Sequence, residues 1–198
     1  RFPQLPWWIA GLATAVFVRL ALNPAVLEYH PRAQVPIWNW FLYTYTVAAG
    51  ALFVAAWLLR PTDDRPLPSG PRLSSVLPAA ATVLLFLVLN IEIADFYSPG
   101  RTLTFNLSAG LAQDLTYTLG WALFAIGLLL GGIRATSRPA RIAALGLLVV
   151  TVLKCFLHDL WKLGGLYRVG SFVGLAVCLS LGAILLQRFV FVPKEEMS

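Results

Sequence analysis

Six long apolar stretches, bounded by proline, glycine and arginine, constrain this chain more than any other feature: Trp7 to Leu22, Trp38 to Leu59, Ser74 to Tyr97, Leu111 to Ile133, Ala140 to Trp161 and Leu166 to Val190. A helix rises about 1.5 Å per residue and the hydrocarbon core of a bilayer is about 30 Å thick, so a crossing takes about 20 apolar residues. Each stretch has roughly that length. Period-2 alternation is absent and the runs exceed the ~9–11 residues of a barrel strand, which argues against a transmembrane barrel. The chain therefore reads as an all-α polytopic integral membrane bundle of six transmembrane helices, forming a single transmembrane domain over residues 1–198. With 59% hydrophobic and 12% charged residues, against about 45–50% and about 25% in soluble domains, little chain remains for a soluble domain.

The breaks between stretches have local causes. Asn23-Pro24 ends the first, because proline lacks a backbone donor and disfavours helical geometry in the residue before it. Pro24 to Pro36 and Thr102 to Gly110 read as connections lying at the membrane surface, and Ser98-Pro99-Gly100-Arg101 is a turn signal. Pro61 to Arg72, rich in proline and mixed charge, reads as a solvated loop. The chain opens at Arg1 without a methionine or a cleavable signal pattern and is apolar from Pro6 onward, which suggests a piece of something longer.

Charge gives the orientation. The side holding both termini carries Arg1, Arg60, Arg65, Arg72, Arg134, Arg138, Arg141, Arg188 and Lys194, and the other side carries only Arg32, Arg101, Lys162 and Arg168. The positive-inside rule places both termini in the cytoplasm. The net charge of +6 is thus a topology signal, and because the basic residues form no patterned face with aromatics, nucleic acid is not an expected partner. Cys155 and Cys178 lie within apolar runs and form neither a disulfide framework nor a zinc spacing.

Ionisable residues inside a membrane cost about 2.5–3.5 kcal/mol each on insertion scales, so their placement is informative. Seven stand out: Arg19, Glu92, Asp95, Asp114, Lys154, His158 and Asp159. With the first, third and fifth helices rising from the cytoplasm and the fourth descending, all seven fall in the outer half of the bilayer. Arg19 and Lys154 are expected to face some of Glu92, Asp95 and Asp114, since charges at such depth turn inward and pair. Lys154 and His158 share a helical face, as do Glu92 and Asp95. Glu28, His30, Arg32, Arg101, Lys162 and Arg168 could form an outer rim. Snorkelling to the headgroups accounts for Lys162, Arg168 and Asp159 without any site. For the deeper pair Arg19 and Lys154, a structural ion-pair network is favoured over a ligand pocket.

Other chemistry finds little support. The possible donors His158, Asp159, Glu92, Asp95 and His30 match no metal pattern, and no catalytic residues are assigned. A Ser98 or Ser108 hydrolase lacks a nucleophile elbow, and no nucleotide-binding loop or other cofactor motif occurs. Gly170, Gly174, Cys178 and Gly182 recur every four residues, a small-residue stripe that suits close helix packing; Gly127 and Gly131 repeat the spacing.

Several segments carry a resemblance. They include Leu22-Asn23-Pro24-Ala25-Val26-Leu27-Glu28-Tyr29, Pro36-Ile37-Trp38-Asn39-Trp40 with Leu42-Tyr43, and Asp95-Phe96-Tyr97-Ser98. Further along stand Asp114-Leu115-Thr116-Tyr117-Thr118-Leu119-Gly120-Trp121, Lys154-Cys155-Phe156-Leu157-His158-Asp159-Leu160, Gly165-Leu166-Tyr167-Arg168-Val169 and Gln187-Arg188-Phe189. In this order, over nearly the whole chain, they resemble the C-terminal part of the DUF2339 family of bacterial multi-pass membrane proteins. The resemblance implies the last six helices of a longer polytopic protein of the bacterial inner membrane and transfers no catalytic residue. Cys155 and His158 depart from the family pattern, which weighs against a catalytic His158.

The function expected is a non-enzymatic membrane module that binds or helps translocate an amphipathic or anionic envelope component, or scaffolds an envelope complex. Its partners would be membrane lipids, other membrane chains or further helices of the same protein. Two alternatives are a membrane-embedded transferase or hydrolase acting on a lipid-linked substrate, and a purely structural subunit of a larger complex.

Overall fold

The helical boundaries follow from capping chemistry at each end of the apolar runs. A computed structural model describes residues 4–26, 38–60, 69–98 and 110–156, together with 176, 177, 180 and 182–184 of the last stretch. Helix α1 spans Leu5–Phe17 and continues as a π-helical turn over Val18–Leu22; α2 spans Trp40–Leu59, α3 Leu73–Tyr97, α4 Leu111–Arg134 and α5 Arg138–Lys154. Among the described residues all regular structure is helical. Helices α1 and α5 begin slightly earlier than hydropathy suggests. Pro6 and Pro139 sit in their first turns, where a missing N–H costs no hydrogen bond. Helix α2 begins after Asn39, whose side chain caps it by accepting from the Leu42 N–H at 2.8 Å.

Four helical segments are long and apolar enough to cross a membrane: Leu5–Leu22, Trp40–Leu59, Leu73–Tyr97 and Ala112–Arg134. Only 6% to 33% of each is buried within the protein. Such faces are stable only against hydrocarbon or further apolar chain. Most of the sixth expected span, and the end of the fifth beyond Phe156, lie outside the described residues.

The chain divides into two units, Arg1–Ser108 and Ala109–Ser198. In the first, α2 and α3 form an antiparallel pair with α1 packed against them. The buried residues of α2 are Phe41, Tyr45, Ala49, Leu52, Ala56 and Leu59, and those of α3 include Leu73, Leu77, Ala81, Leu84, Val88, Ile91 and Asp95. Both series step by fours and threes, the signature of a knobs-into-holes seam. Both faces bury alanines among leucines: Ala49, Leu52 and Ala56 on α2, and Leu77, Ala81 and Leu84 on α3. The absence of a water-driven term between spans makes such packing of small and large side chains the main source of helix association. The π turn attaches to the same unit through Tyr45, whose hydroxyl donates to the buried Leu20 carbonyl at 2.6 Å.

In the second unit, α4 and α5 form a helical hairpin. Thr136 adopts a left-handed φ of 51°. Its N–H donates to the Ile133 carbonyl at 3.1 Å, and the Ser137 N–H donates to Gly132 at 2.9 Å. This pair of bonds is the Schellman closure of a helix C-terminus, usually built on glycine. Gly132 lies where the helices approach closest: a Cβ there would stand 3.1 Å from the Ala140 Cβ, the Arg141 Cγ and the Arg141 backbone nitrogen.

Two substitutions in this hairpin should act in opposite directions. Thr136→Gly removes the left-handed penalty of a β-branched residue and should stabilise the unit by up to about 1 kcal/mol. Gly132→Val drives side-chain atoms into backbone and should destabilise it by about 1–3 kcal/mol. Thermal unfolding in detergent, followed by circular dichroism, reads both.

Candidate functional site

The end of the first unit where α2 begins and α3 ends gathers its polar side chains. Asp95 falls on the α2–α3 seam and is 1% exposed. A carboxylate in that position needs a donor, and the Asn39 Nδ2 supplies one, donating to Asp95 Oδ2 at 3.4 Å. Asn39 is itself 8% exposed. One amide thus does two things: its oxygen caps α2 and its nitrogen ties that cap to the last turn of α3. Glu92, one turn earlier on α3, has both carboxylate oxygens shielded from solvent with no hydrogen-bond donor in good geometry among the described residues. The Asn39 amide and the Asp95 carboxylate are its polar neighbours.

Arg19 lies toward the same end, because the Tyr45–Leu20 bond sets the π turn beside the first turns of α2. Its side chain is exposed. The packed face of α1 is formed by Ile9, Ala10, Ala13, Val16, Phe17, Leu20 and Ala21. Arg19 is on the other side of the helix. The structure places it at the level of the carboxylates without bringing it onto Glu92 or Asp95, and the described donor to Asp95 is an amide.

In the second unit, Asp114 and Lys154 come together at the start of α4 and the end of α5. The Lys154 ammonium donates to the Asp114 backbone carbonyl at 3.1 Å and to Thr118 Oγ1 at 2.8 Å. Thr118 Oγ1 in turn donates to the same Asp114 carbonyl at 3.1 Å. Lys154 is therefore held inward on α4 by two oxygen acceptors that are themselves hydrogen-bonded to each other. Around it, Gln113, Asp114, Tyr117 and Thr151 are all buried. This end of the hairpin is polar inside, whereas Ala125 and Ala144 line its apolar middle.

His158, Asp159, Gly170, Gly174 and Cys178 lie outside the described residues. Gly182 is described, and a Cβ there would lie 4.0 Å from the Leu148 Cδ2 of α5, so the last stretch meets α5 at this point. Gly127 and Gly131 instead face open space. Among the described residues no three His, Cys, Asp or Glu side chains converge as a metal site would require. Residues that hydropathy did not single out, Asn39, Gln113, Tyr117 and Thr118, prove to be polar neighbours of those that it did. Asn39 carried one readable signal, a capping residue set directly before an apolar run.

The Asn39–Asp95 clamp has a measurable energy. Asn39→Ala removes both the α2 cap and a donor to a buried carboxylate, and should cost about 2 kcal/mol. In a double-mutant cycle with Asp95→Ala, a coupling of about 1 kcal/mol is expected; a coupling indistinguishable from zero would show that the two side chains act separately.

Comparison with known proteins adds one match. No curated protein and no solved structure matches the chain. A family model described as "Predicted membrane protein (DUF2339)" matches residues 4–189. With apolar helices of membrane-crossing length and a match over nearly its full extent, the chain belongs to the DUF2339 family of predicted membrane proteins.

Proposed function

We propose that the chain is a non-enzymatic membrane module of the bacterial inner membrane, with both termini cytoplasmic. In this reading it binds, or helps to move, an amphipathic anionic component of the envelope on the periplasmic side. The observation that carries it is the lodging of Lys154. A lysine near the end of a span ordinarily extends its ammonium to the headgroups. Here the ammonium is turned onto the Asp114 carbonyl and Thr118 hydroxyl, among buried polar side chains. A cation held within a span at fixed position is a default functional feature of membrane proteins, because its desolvation cost has to be offset by what it binds.

Further support comes from the chain's own sequence. His158 follows Lys154 by four residues and Asp159 by five, so the span ends in further titratable groups. Arg19, Glu92 and Asp95 lie toward one end of the first unit. The positive-inside bias assigns the ends carrying these residues to the outer leaflet. Each unit by itself thus offers an amphiphile's two requirements, polar groups near one end and apolar helix faces along the rest.

The test is Lys154→Leu, with Lys154→Arg as the charge-conserving companion. Binding of dodecyl phosphate, a simple anionic amphiphile, should fall about tenfold in the leucine variant and recover in part with arginine. The melting temperature should change little in either. Binding and melting both unchanged in Lys154→Leu would sink the proposal, whereas lost stability with retained binding would make the lysine purely structural.

A further inference from the structure

Among these charged side chains, Arg19 faces away from the packing of its unit. Arg19 lies on α1 opposite the packed face, on a stripe with the exposed Trp8, Leu12 and Ala15. Trp8 is 73% and Leu12 70% exposed. Gly11 flanks this stripe, and a Cβ there would meet nothing within 4 Å. The result is an exposed apolar stripe along α1, narrowed at Gly11, with a guanidinium near one end.

The position of Arg19 is physically demanding. A lone cation on an outward face near the centre of a span is costly, and Arg19 reduces that cost by lying within a turn of the helix end at Asn23-Pro24. A side chain of this length reaches the headgroup layer from there. Glu92 and Asp95 do not pair with it, because they lie on α3 and Arg19 points away from the side of α1 that packs on α2 and α3. The nearby Leu20 carbonyl is taken by Tyr45. What remains at headgroup depth in a membrane is phosphate, and the planar five-donor fork of arginine matches phosphate oxygens two at a time.

We propose that Arg19 holds the phosphodiester of an anionic phospholipid whose acyl chain lies along Leu12, Gly11 and Trp8. Charge complementarity selects the headgroup, and the small side of the stripe at Gly11 and Ala15 admits the chain. The site uses residues of α1 and its π turn alone, so either conclusion can fall without the other.

The experiment reconstitutes the full chain in nanodiscs containing equal parts phosphatidylglycerol and phosphatidylcholine, then counts retained lipids by native mass spectrometry after release into detergent. The wild type should retain phosphatidylglycerol over phosphatidylcholine by about fivefold or more, and Arg19→Gln should abolish that preference with an unchanged melting temperature. Arg19→Lys should keep part of it, since a point charge lacks the fork. Arg134→Gln, at another exposed arginine, should keep all of it. Equal retention of the two lipids by the wild type, or full preference in Arg19→Gln, would overturn the proposal. So would displacement of the bound lipid by inorganic phosphate, which would identify a soluble-anion site, or a photocross-link from Leu12 to a polypeptide in place of lipid.

Discussion

A carboxylate within a hydrocarbon-facing bundle has to find a donor, and Asp95 finds Asn39. That bond links the first residue before α2 to the last turn of α3, which fixes the register of the antiparallel pair from one end. Down the rest of the seam, both helices bury alanines among leucines, so small and large side chains share the interface. The polar clamp and the apolar packing act on the same pair of helices, and a seam of this kind carries the unit because lipid offers no solvophobic drive to hold spans together. Tyr45 adds the third element by occupying a carbonyl of the π turn.

The second unit solves a similar problem with the opposite charge. Lys154 donates to a backbone carbonyl and a hydroxyl of α4, while Gln113, Asp114, Tyr117 and Thr151 are buried. Its hairpin is closed at the far end by a left-handed Thr136 and a close contact of Gly132 with Ala140 and Arg141. Apolar packing near the turn and polar packing at the open end give the hairpin a direction. The open end is the part with chemistry to offer.

Much of the fold was legible because hydropathy and capping are local. Spans starting near Trp7, Trp38, Ser74 and Leu111 were readable to within about two residues, the usual scatter of helix ends. Proline at a helix start moved the first of these, and that of α5, two residues outward for a reason that is itself local. The candidate site was legible only as a list of residues. Their depths along each span could be reckoned from rise per residue, but a helix that is apolar on all sides does not disclose which face meets a neighbour. Arg19 illustrates the limit: its depth was readable, and its outward direction was not.

Sequence alone determined that this chain is helical, that its spans are membrane-length and that its charged residues are few enough to be noticed singly, because these follow from composition and from distances along one helix. Tertiary structure decided which charge met which partner: an amide for Asp95, a carbonyl and a hydroxyl for Lys154, and an outward face for Arg19. Those outcomes depend on the rotation of each helix about its axis. That rotation is set by how alanines, leucines and glycines of neighbouring helices fit together, and no single stretch of sequence contains it.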